Sequence, residues 1–576
     1  FRDRQARETL FEKITGLSND RILLPGFSRG LLPAPANGAT RETRQAPVSR
    51  QANIARAMRS YRNTGVGYAT VRVPDKDSLV VLVASGAAFR IDPVRRLTST
   101  SPGEGPHPAP PLQLGNAPIV AVIDGGLHAS TYQPAEAWRA PPLIPDHEAD
   151  RQHGNGVSSL AVHAHAWNNN RNLPALECRI GTVQAVPHKN NIYPFDDQEL
   201  VDYLDTVARA RREGRVWNIS ANQSGPGLDH EVVSVLGEGL RRIAREHNIL
   251  PIISIGNVGS YNSHRPDPPA DCEAAIVVGG RESDNDGNPA QACPVCLSGP
   301  GPDGMLRPDV SWFSRLRMLG GAVDTGSSYA TPLISSLAAH TFDALRNPTP
   351  DLVKALLINA ADLDEHDPAL GWGTPYNGHM PWDCAPGSVT LAWRARLEPG
   401  TAYYWNDIPI PPELVRNGRL FGKARLTAVL NPLVSPFAGA NYFSSRLETA
   451  LQYVDKAGAD WKSLLGSMKE STICESEARE ELKKWNPVRR HSASFITRGR
   501  QFVGSHFRLY ARVYTRDLYQ FGWRHHSQAG PQEVAFVLTL WSGEQRRSIY
   551  DSTVQALGTF VESAVLEQEI EQELEQ

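Results

Sequence analysis

The stretch APIVAVIDGG at residues 117–126 is a short apolar run that ends in Asp-Gly-Gly. Such a run is typical of a central strand in a parallel sheet, because these strands are buried on both faces. The two glycines permit the tight turn that follows the strand. RVWNISANQSG at 215–225 and ILPIISIGNVGS at 249–260 have the same form. The three stretches therefore predict a parallel sheet in the middle of the chain.

The segment 229–248 separates the last two stretches and predicts an amphipathic helix, since its apolar residues recur along one side. Strand, helix and strand at this spacing indicate a parallel α/β domain, which we place at 117–380. Ligands of such sheets bind at the carboxyl ends of the strands. Polar side chains at those ends are therefore the candidates for a functional site.

The sequence before this domain has a different composition. Residues 1–100 combine charged, helix-compatible sequence with strand-like runs, which predicts an α+β pro-segment or regulatory domain. Within them, the apolar run 79–89 is too short to span a bilayer and is interpreted as a buried strand. Residues 101–116 are rich in proline and glycine and are predicted to be an exposed linker.

The sequence after the α/β domain changes to alternating apolar and polar residues separated by turns. This pattern over 385–560 predicts a β-sandwich-like C-terminal domain. A charged, helix-like insertion is predicted at about 457–485, and residues 561–576 form an acidic tail.

Composition excludes some function classes. The chain has 576 residues and a formal net charge of −3. Neither a nucleic-acid nor a membrane partner is expected from this balance. The six cysteines are sparse for the length and show no disulfide-framework spacing, so we expect a cytoplasmic location.

Two of the cysteines, Cys293 and Cys296, form a Cys-Pro-Val-Cys sequence in a glycine- and proline-rich loop. This spacing suits zinc binding or redox chemistry, but one such pair without a second is a weak signal. If a metal is bound, Cys272 is the expected third ligand. We assign no metal and require no cofactor, and calcium is left open without assigned ligands.

Four polar residues lie in glycine-marked contexts at the predicted strand and helix ends: Asp124, His153, Asn257 and Ser328. Each alone has a plain structural interpretation, as a turn residue, a helix-start residue, an Asx turn or a helix N-cap. Together, in the chain order Asp, His, Ser, they match one of the recurring orders of a catalytic triad. The amide of Asn257 adds a donor for an oxyanion.

The motifs around these residues resemble those of the subtilase family of serine peptidases. VAVIDGG resembles the family's Asp motif, HGNGVSS its His motif, SIGN its oxyanion motif and GSSYATP its Ser motif. The resemblance covers about 117–380 and implies a subtilisin-like fold and serine endopeptidase activity. It implies that Ser328 is the nucleophile, His153 the general base, Asp124 the group that orients His153, and Asn257 the oxyanion donor.

The motifs also depart from the family pattern. Gly125 stands where Ser or Thr is usual, Asn155 where Thr or Ser is usual, Ser158 where Ala or Gly is usual, and Ser327 where Thr is commoner. None of these changes removes a catalytic atom. We expect Asn155 and Ser158 to lie beside the base and to alter how its imidazole is held.

The resemblance also implies a groove in which an extended peptide pairs with an edge strand. The predicted walls of its primary pocket are Ser220, Ala221 and Asn222 on one side and Ser254, Ile255 and Gly256 on the other. Asn222 stands where the family usually has Gly. We expect it to narrow the pocket entrance and to disfavour the largest aromatic side chains.

Two alternatives to an active peptidase remain at this stage: a peptide-binding module with little hydrolysis, and an esterase on the same triad. The expected substrates are proteins or peptides. The layout of the chain resembles bacterial subtilases encoded beside AAA-type ATPases, which implies a regulatory protein partner of that kind. Control by residues 1–100 is the other expected form of regulation.

Overall fold

The computed structural model describes residues 9, 24–25, 71–73, 75–84, 90–91, 96–98, 114–188, 197–224, 231–259, 265–436, 438–458, 460–466, 484–543 and 548–558. The chain forms two compact units. One comprises Phe1–Leu97 with Asn190–Ala210, and the other comprises Thr98–Lys189 with Arg211–Gln576. The functional site lies in the second unit.

The helices of these described ranges are α1 (Lys76–Ala84), α2 (Arg151–Trp167), α3 (Asp197–Ala210), α4 (Val235–His247), α5 (Ser327–Ala344), α6 (Pro350–Ala360) and α7 (Ser548–Leu557). The strands are β1 (Leu24–Pro25), β2 (Val71–Arg72), β3 (Arg96–Thr98), β4 (Ile119–Asp124), β5 (Glu136–Arg139), β6 (Arg179–Gln184), β7 (Val216–Ile219), β8 (Asn222–Ser224), β9 (Leu250–Ser254), β10 (Ile276–Ser283), β11 (Pro289–Ala292), β12 (Val310–Phe313), β13 (Arg315–Arg317), β14 (Val323–Thr325), β15 (Ser388–Leu397), β16 (Ala402–Pro409), β17 (Val415–Arg416), β18 (Arg419–Leu420), β19 (Lys423–Leu430), β20 (Ser445–Asp455), β21 (Trp461–Gly466), β22 (Val488–Ser494), β23 (Arg500–Thr515) and β24 (Gln532–Trp541).

The first unit contains β1 and β2, which pair antiparallel, and the helices α1 and α3. The prediction of a buried strand at 79–89 is wrong, because α1 covers the run as far as Ala84 and the next residues lie outside the described ranges. The Asp75 carboxylate accepts a hydrogen bond of 2.7 Å from the Ser78 amide, which suits a helix start. Val80 and Val83 are 57% and 61% exposed. A continuous apolar run without alternation cannot distinguish a strand from a helix.

The parallel sheet predicted from 117–126 is present as an eight-stranded sheet in the order β11-β10-β9-β7-β4-β6-β5, with β12 also paired to β10. All neighbouring pairs are parallel except β10 with β11. β4 is central, and five of its six residues are buried. The α/β fold class is confirmed.

The central helix α5 follows β14 and packs against strands of this sheet and against α2. Most of its residues are buried and many are small, which allows close approach to the sheet. The helix after it, α6, begins with Thr349, whose side chain accepts from the Leu352 amide, and with Pro350 in the first turn. α5 is therefore fixed on several sides by the core.

The C-terminal region is the predicted β-rich domain. A four-stranded antiparallel sheet, β15-β24-β19-β22, faces a second antiparallel sheet that includes β16, β18, β20, β21 and β23. Leu426 and Leu538 of the first sheet and Leu447 and Leu509 of the second share one buried cluster. The region also packs on α6, where the Asn359 side chain donates to Thr539 Oγ1 at 2.6 Å.

The predicted helical insertion at about 457–485 is wrong at its start, because β21 occupies 461–466 and pairs with β20. The segment 461–466 is short and lies next to a charged run, so its pattern of apolar and polar residues does not predict a strand. Residues 467–483, most of the linker at 101–116 and the acidic tail at 561–576 lie outside the described residues. No helix within the described ranges is both long and apolar enough to cross a membrane.

Candidate active site

The carboxylate at the end of β4 is the first element of the site. Asp124 is fully buried, and its two side-chain oxygens accept from His153 Nδ1 at 2.9 and 3.0 Å. Asp124 Oδ1 also accepts from the Gly125 amide at 2.7 Å. A buried carboxylate requires such partners to offset its desolvation. Asp124 therefore fixes the imidazole orientation and places the proton of the neutral ring on Nδ1.

The start of α2 positions His153. Asp150 is the N-cap residue of this helix, and its side chain accepts from the His153 amide at 3.2 Å. Burial alone would lower the pKa of His153, but the charge of Asp124 and its hydrogen bond outweigh that effect and raise the pKa. Asp150 and Asp324 add smaller contributions in the same direction. The ring is therefore a stronger base than its burial would allow.

Close backbone contact explains the glycine that departs from the family pattern. A Cβ atom at Gly125 would lie 1.9 Å from the Asp150 carbonyl oxygen, so no larger residue fits there. At Gly154 the corresponding atom would lie 2.5 Å from the Gly126 carbonyl oxygen. These contacts bring the turn after β4 against the first turn of α2, which brings Asp124 and His153 together.

Ser328 lies in the first turn of α5 and is 3% exposed. The fully buried Ser220 donates from its hydroxyl to the Ser328 carbonyl at 2.9 Å, and Asn218 donates to Ser220 Oγ. His153 Nε2 is buried without a hydrogen-bond partner in the described structure, so no bond joins it to Ser328 Oγ. Such bonds are often long before substrate binds.

Asn257 follows β9 and lies beside the amino end of α5. Its Oδ1 atom accepts from the Ser327 amide at 2.9 Å and from the Ser327 hydroxyl at 3.2 Å. Gly256 before it has a φ of +102°, and a Cβ there would lie 2.8 Å from Leu297 Cδ1. These contacts anchor the Oδ1 side of the Asn257 amide and leave the Nδ2 donor on its other side.

The predicted pocket walls are connected by one side chain. Asn222 is 7% exposed; its Nδ2 donates to the Ser254 carbonyl at 2.7 Å and to the Asp267 carbonyl at 3.1 Å. Its Oδ1 accepts from the Ser254 hydroxyl at 2.6 Å. The amide thus crosses from the segment 220–222 to the segment 254–256. Ala221 and Ile255, the middle residues of the two segments, are fully buried.

The central region of the chain matches one known protein family. Residues 115–373 match the model of the subtilase family. This central region is a subtilase domain. Such a domain is that of a subtilisin-like serine endopeptidase, a hydrolase that acts on proteins or peptides.

Solved structures similar to the subtilase domain are peptidases by their titles. The prenylagaramide maturation protease PagA is 19% identical, with 45% of this chain and 90% of PagA covered and a TM-score of 0.32. The S41 psychrophilic protease is 18% identical, with 45% and 92% covered and a TM-score of 0.36. Sphericase is 15% identical, with 45% and 92% covered and a TM-score of 0.35. No curated protein matches the chain.

Sequence reasoning missed two residues beside the base of the subtilase domain. The Tyr329 ring is fully buried, and its centroid lies 5.7 Å from that of His153. Its hydroxyl donates to Asp324 Oδ2 at 2.9 Å, and Asp324 also contributes to the raised pKa of His153. Asp324 lies four residues before Ser328, and Tyr329 lies one residue after it within the Ser motif, but their position beside His153 depends on the fold.

Asn155 and Ser158 also depart from the family pattern near His153, and their surroundings differ. Asn155 Oδ1 accepts from the amides of His128 and Ala129, at 2.7 and 3.0 Å, and so ties α2 to the loop after β4. Ser158 is buried one turn further along the helix. The Asn155 side chain therefore acts on the backbone around Asp124, and the prediction that it alters the imidazole stays untested.

Cys272 is the third ligand expected only if Cys293 and Cys296 bind a metal. In the described part of the chain, no group of three close ligand atoms includes Cys272, Cys293 or Cys296. Cys272 is fully buried, and its carbonyl accepts from Arg307. The structure therefore does not bring Cys272 to the other two cysteines as a third ligand.

Proposed function

We propose that this chain cleaves peptide bonds with Asp124, His153 and Ser328 as a catalytic triad and Asn257 as an oxyanion donor. The observation that carries the proposal is the fixed Asp124–His153 pair in a subtilase domain, with contacts of 2.9 and 3.0 Å. The pair leaves Nε2, the atom that must accept the nucleophile's proton, without another partner.

In the first step, Ser328 Oγ attacks the scissile carbonyl carbon while His153 Nε2 takes the hydroxyl proton. The resulting imidazolium is stabilised by Asp124, which keeps its own charge. Because the pair is fully buried, this electrostatic stabilisation is little screened by water. The raised pKa of His153 favours the proton transfer.

The negative charge on the carbonyl oxygen then needs donors. Asn257 Nδ2 and the Ser328 amide are the groups we assign, and the amino end of α5 adds the favourable end of its dipole. The bonds from Ser327 to Asn257 Oδ1 hold the amide before the reaction begins. Little reorganisation is then required when the charge develops.

Collapse of this intermediate breaks the carbon–nitrogen bond, and His153 returns its proton to the leaving amine. The acyl group remains on Ser328 as an ester. A water molecule then gives a proton to His153 and attacks the ester carbonyl carbon. The bond from that carbon to Ser328 Oγ breaks, His153 returns the proton to Oγ, and the acid leaves. The same groups serve both halves of the reaction.

The alternatives are separated by parallel assays on the full chain. An unfolded protein substrate, a small peptide amide and a matched small ester are supplied at equal concentrations. Cleavage of the amides supports the proposal; turnover of the ester alone indicates an esterase. Binding of the peptide without turnover of either substrate supports a binding module and overturns the proposal.

Replacing Asn257 by alanine is expected to lower kcat by roughly 10²–10³-fold with a small change in KM, because the lost donor acts mainly on the developing oxyanion. Steady-state kinetics on a peptide amide measure the effect. The matched control is Ser327→Ala, which removes one hydroxyl contact to Asn257 Oδ1 and keeps Nδ2. An equal loss in both variants would contradict the donor role and indicate general disturbance of this turn.

Replacing Asn222 by glycine is expected to widen the primary pocket, because the amide that crosses between its walls is removed. We expect kcat/KM for substrates with Phe or Tyr before the scissile bond to rise about tenfold relative to Ala. A peptide library with one varied position measures the profile, and Asn222→Ser should give an intermediate result. An unchanged profile in a variant that unfolds at the wild-type temperature would refute the role of Asn222.

Regulation is part of the same proposal. We assign it to residues 1–100, acting as a removable pro-segment or a fixed regulatory region, or to a protein partner such as an AAA-type ATPase. The support is the position of these residues before the subtilase domain and the cleavable composition of 101–116. Intact mass after incubation separates the first two cases.

A further inference from the structure

The Cys-Pro-Val-Cys sequence forms a tight turn. The Cys296 amide donates to the Cys293 carbonyl at 3.2 Å, and Pro294 occupies the second position of the turn, where its φ is favourable. The end residues of such a turn have Cα atoms less than about 7 Å apart, which overlaps the span of a disulfide. Both thiols are free in this structure.

This turn pairs directly with residues 256–258, the oxyanion segment, which contains the proposed oxyanion donor Asn257. The Val258 amide donates to the Val295 carbonyl at 2.8 Å, and the Leu297 amide donates to the Gly256 carbonyl at 3.0 Å. Asn257 and Cys296 therefore face each other as an antiparallel bridge. In this type of pair the hydrogen bonds lie on either side of it, so the two side chains are close.

The sulfur of Cys296 is held in a confined space. A Cβ atom at Gly280 would lie 2.4 Å from Cys296 Sγ and 3.0 Å from Cys293 Cβ. The Cys293 amide donates to the Gly280 carbonyl at 2.9 Å. The Ser327 amide, which bonds to Asn257 Oδ1, also lies within hydrogen-bonding reach of the Cys296 sulfur. The Cys296 thiol and the Asn257 side chain thus have the Ser327 amide as a common neighbour.

The pair has the chemistry for oxidation. Interaction with the Cys296 thiol, helped by Ser314 and backbone amides, lowers the pKa of Cys293 to about 6. Interaction with Cys293, burial and the charge of Cys293 raise the pKa of Cys296. One thiolate is therefore available near neutral pH, as thiol–disulfide exchange requires. Cys293 is buried, but Cys296 is partly exposed and the neighbouring Val295 is 40% exposed.

We propose that Cys293 and Cys296 form a reversible disulfide that displaces the Cys296 side chain from Asn257 and the amino end of α5, so that oxidation slows peptide hydrolysis. This inference rests on the proposed oxyanion role of Asn257. It goes beyond that role by assigning a redox modification site to the same segment.

The oxidant is a small-molecule disulfide such as oxidised glutathione. The thiolate of the pair attacks one sulfur, a mixed disulfide forms, and one glutathione leaves as thiolate. The second cysteine loses its proton and attacks the protein sulfur of that mixed disulfide, which releases a second glutathione. Two protein thiols are thereby oxidised and one glutathione disulfide is reduced to two thiols.

Closing the disulfide fixes the separation of the two sulfur atoms at about 2.0 Å, which is shorter than any contact between unbonded thiols. The Cys296 side chain, which is confined between Gly280 and Asn257, must then adjust its position. Because Cys296 faces Asn257 across the bridge, we expect the Asn257 amide to shift with it. A partial loss of this donor should lower kcat about tenfold or more and leave KM nearly unchanged.

The test uses the full chain, equilibrated with reduced or with oxidised glutathione and assayed on a peptide amide. Alkylation followed by intact and peptide mass measurement counts the thiols. We expect oxidation to remove two alkylatable thiols, both within 293–296, with the fall in kcat restored by dithiothreitol. Cys293→Ser should have the rate of the reduced wild type and should no longer respond to oxidised glutathione. Cys384→Ser, which removes a free thiol outside this turn, should still respond.

Each outcome decides the inference. If both thiols remain alkylatable under oxidised glutathione, the redox inference is overturned and the proposed function is not. The same holds if the pair is oxidised but kcat of the active enzyme does not change. A reduced wild type that cleaves no peptide overturns the proposed function, and the catalytic half of the inference with it. The thiol count is independent of activity, so the two failures are distinguishable.

Discussion

Replacing Ser328 by alanine is expected to lower kcat for peptide hydrolysis by on the order of 10⁶-fold, the loss known for the nucleophile of subtilisin. The variant has no hydroxyl to form the acyl-enzyme, so only binding and the oxyanion donors remain to assist direct attack by water. KM should change little, because Ser328 is 3% exposed and its removal leaves the walls of the pocket in place.

The measurement combines kinetics with labelling by a fluorophosphonate, which reacts with activated serines. The wild type should carry one label on the peptide that contains Ser328, and Ser328→Ala should carry none. Ser336→Ala is the matched control, since Ser336 is a buried serine of the same helix whose hydroxyl bonds to Ala161 and Pro332 carbonyls. Labelling that persists in Ser328→Ala would refute the assignment of the nucleophile.

The same two proteins separate the forms of regulation. If the wild type shortens near 101–116 on incubation and Ser328→Ala stays whole, residues 1–100 are a pro-segment removed by the enzyme itself. If the labelled wild type stays full length, the segment is a permanent part of the protein. Intact mass before and after incubation gives the answer.

The central fold follows from the sequence because its signals are local. The run at 117–126 is apolar and short, it ends in Asp-Gly-Gly, and two similar runs follow it with a helical pattern between them, which together favour a parallel sheet. Asp124, His153, Asn257 and Ser328 each lie at a strand or helix end. The topology of a parallel sheet brings such ends to one edge, and the resemblance of the surrounding motifs to the subtilase family indicates which of them to combine into a candidate site.

Elements whose signals are ambiguous were predicted less well. The run at 79–89 lacks both alternation and a helical period, and the cap at Asp75 decides for a helix. At 461–466 the strand is recognised from its pairing with β20. Pairing is a long-range property, and neither composition nor a charged neighbouring segment encodes it.

Contacts between site residues that are far apart in the sequence cannot be predicted from the spacing of the motifs. Tyr329 lies beside His153 although 176 positions separate them in the sequence. Cys296 faces Asn257 because a turn folds back onto the oxyanion segment. The prediction of a zinc or redox role for Cys293 and Cys296 treated them as an isolated pair. Their position next to Asn257, which the fold alone reveals, is the basis of the proposed redox control.

Replacing Asp124 by asparagine is expected to lower kcat about 10⁴-fold while peptide binding persists. The amide can donate to Nδ1, which favours the imidazole tautomer with its proton on Nε2, and it cannot stabilise the imidazolium. The pH dependence should change as well. The pKa of His153 is raised mainly by Asp124 against the opposing effect of burial, so it should fall in the variant.

As the proposed general base, His153 is active only when its ring is neutral. In the wild type, kcat/KM should fall as the pH drops through a His153 pKa above the ordinary value of about 6.5. In Asp124→Asn the remaining activity should persist to lower pH. Asp324→Asn is the matched control, because Asp324 also raises this pKa but makes no hydrogen bond to the ring, and it should produce a smaller shift and a smaller loss. Profiles of kcat/KM over pH measure all three proteins. An unshifted acid limb in Asp124→Asn would mean that another group sets the protonation of His153.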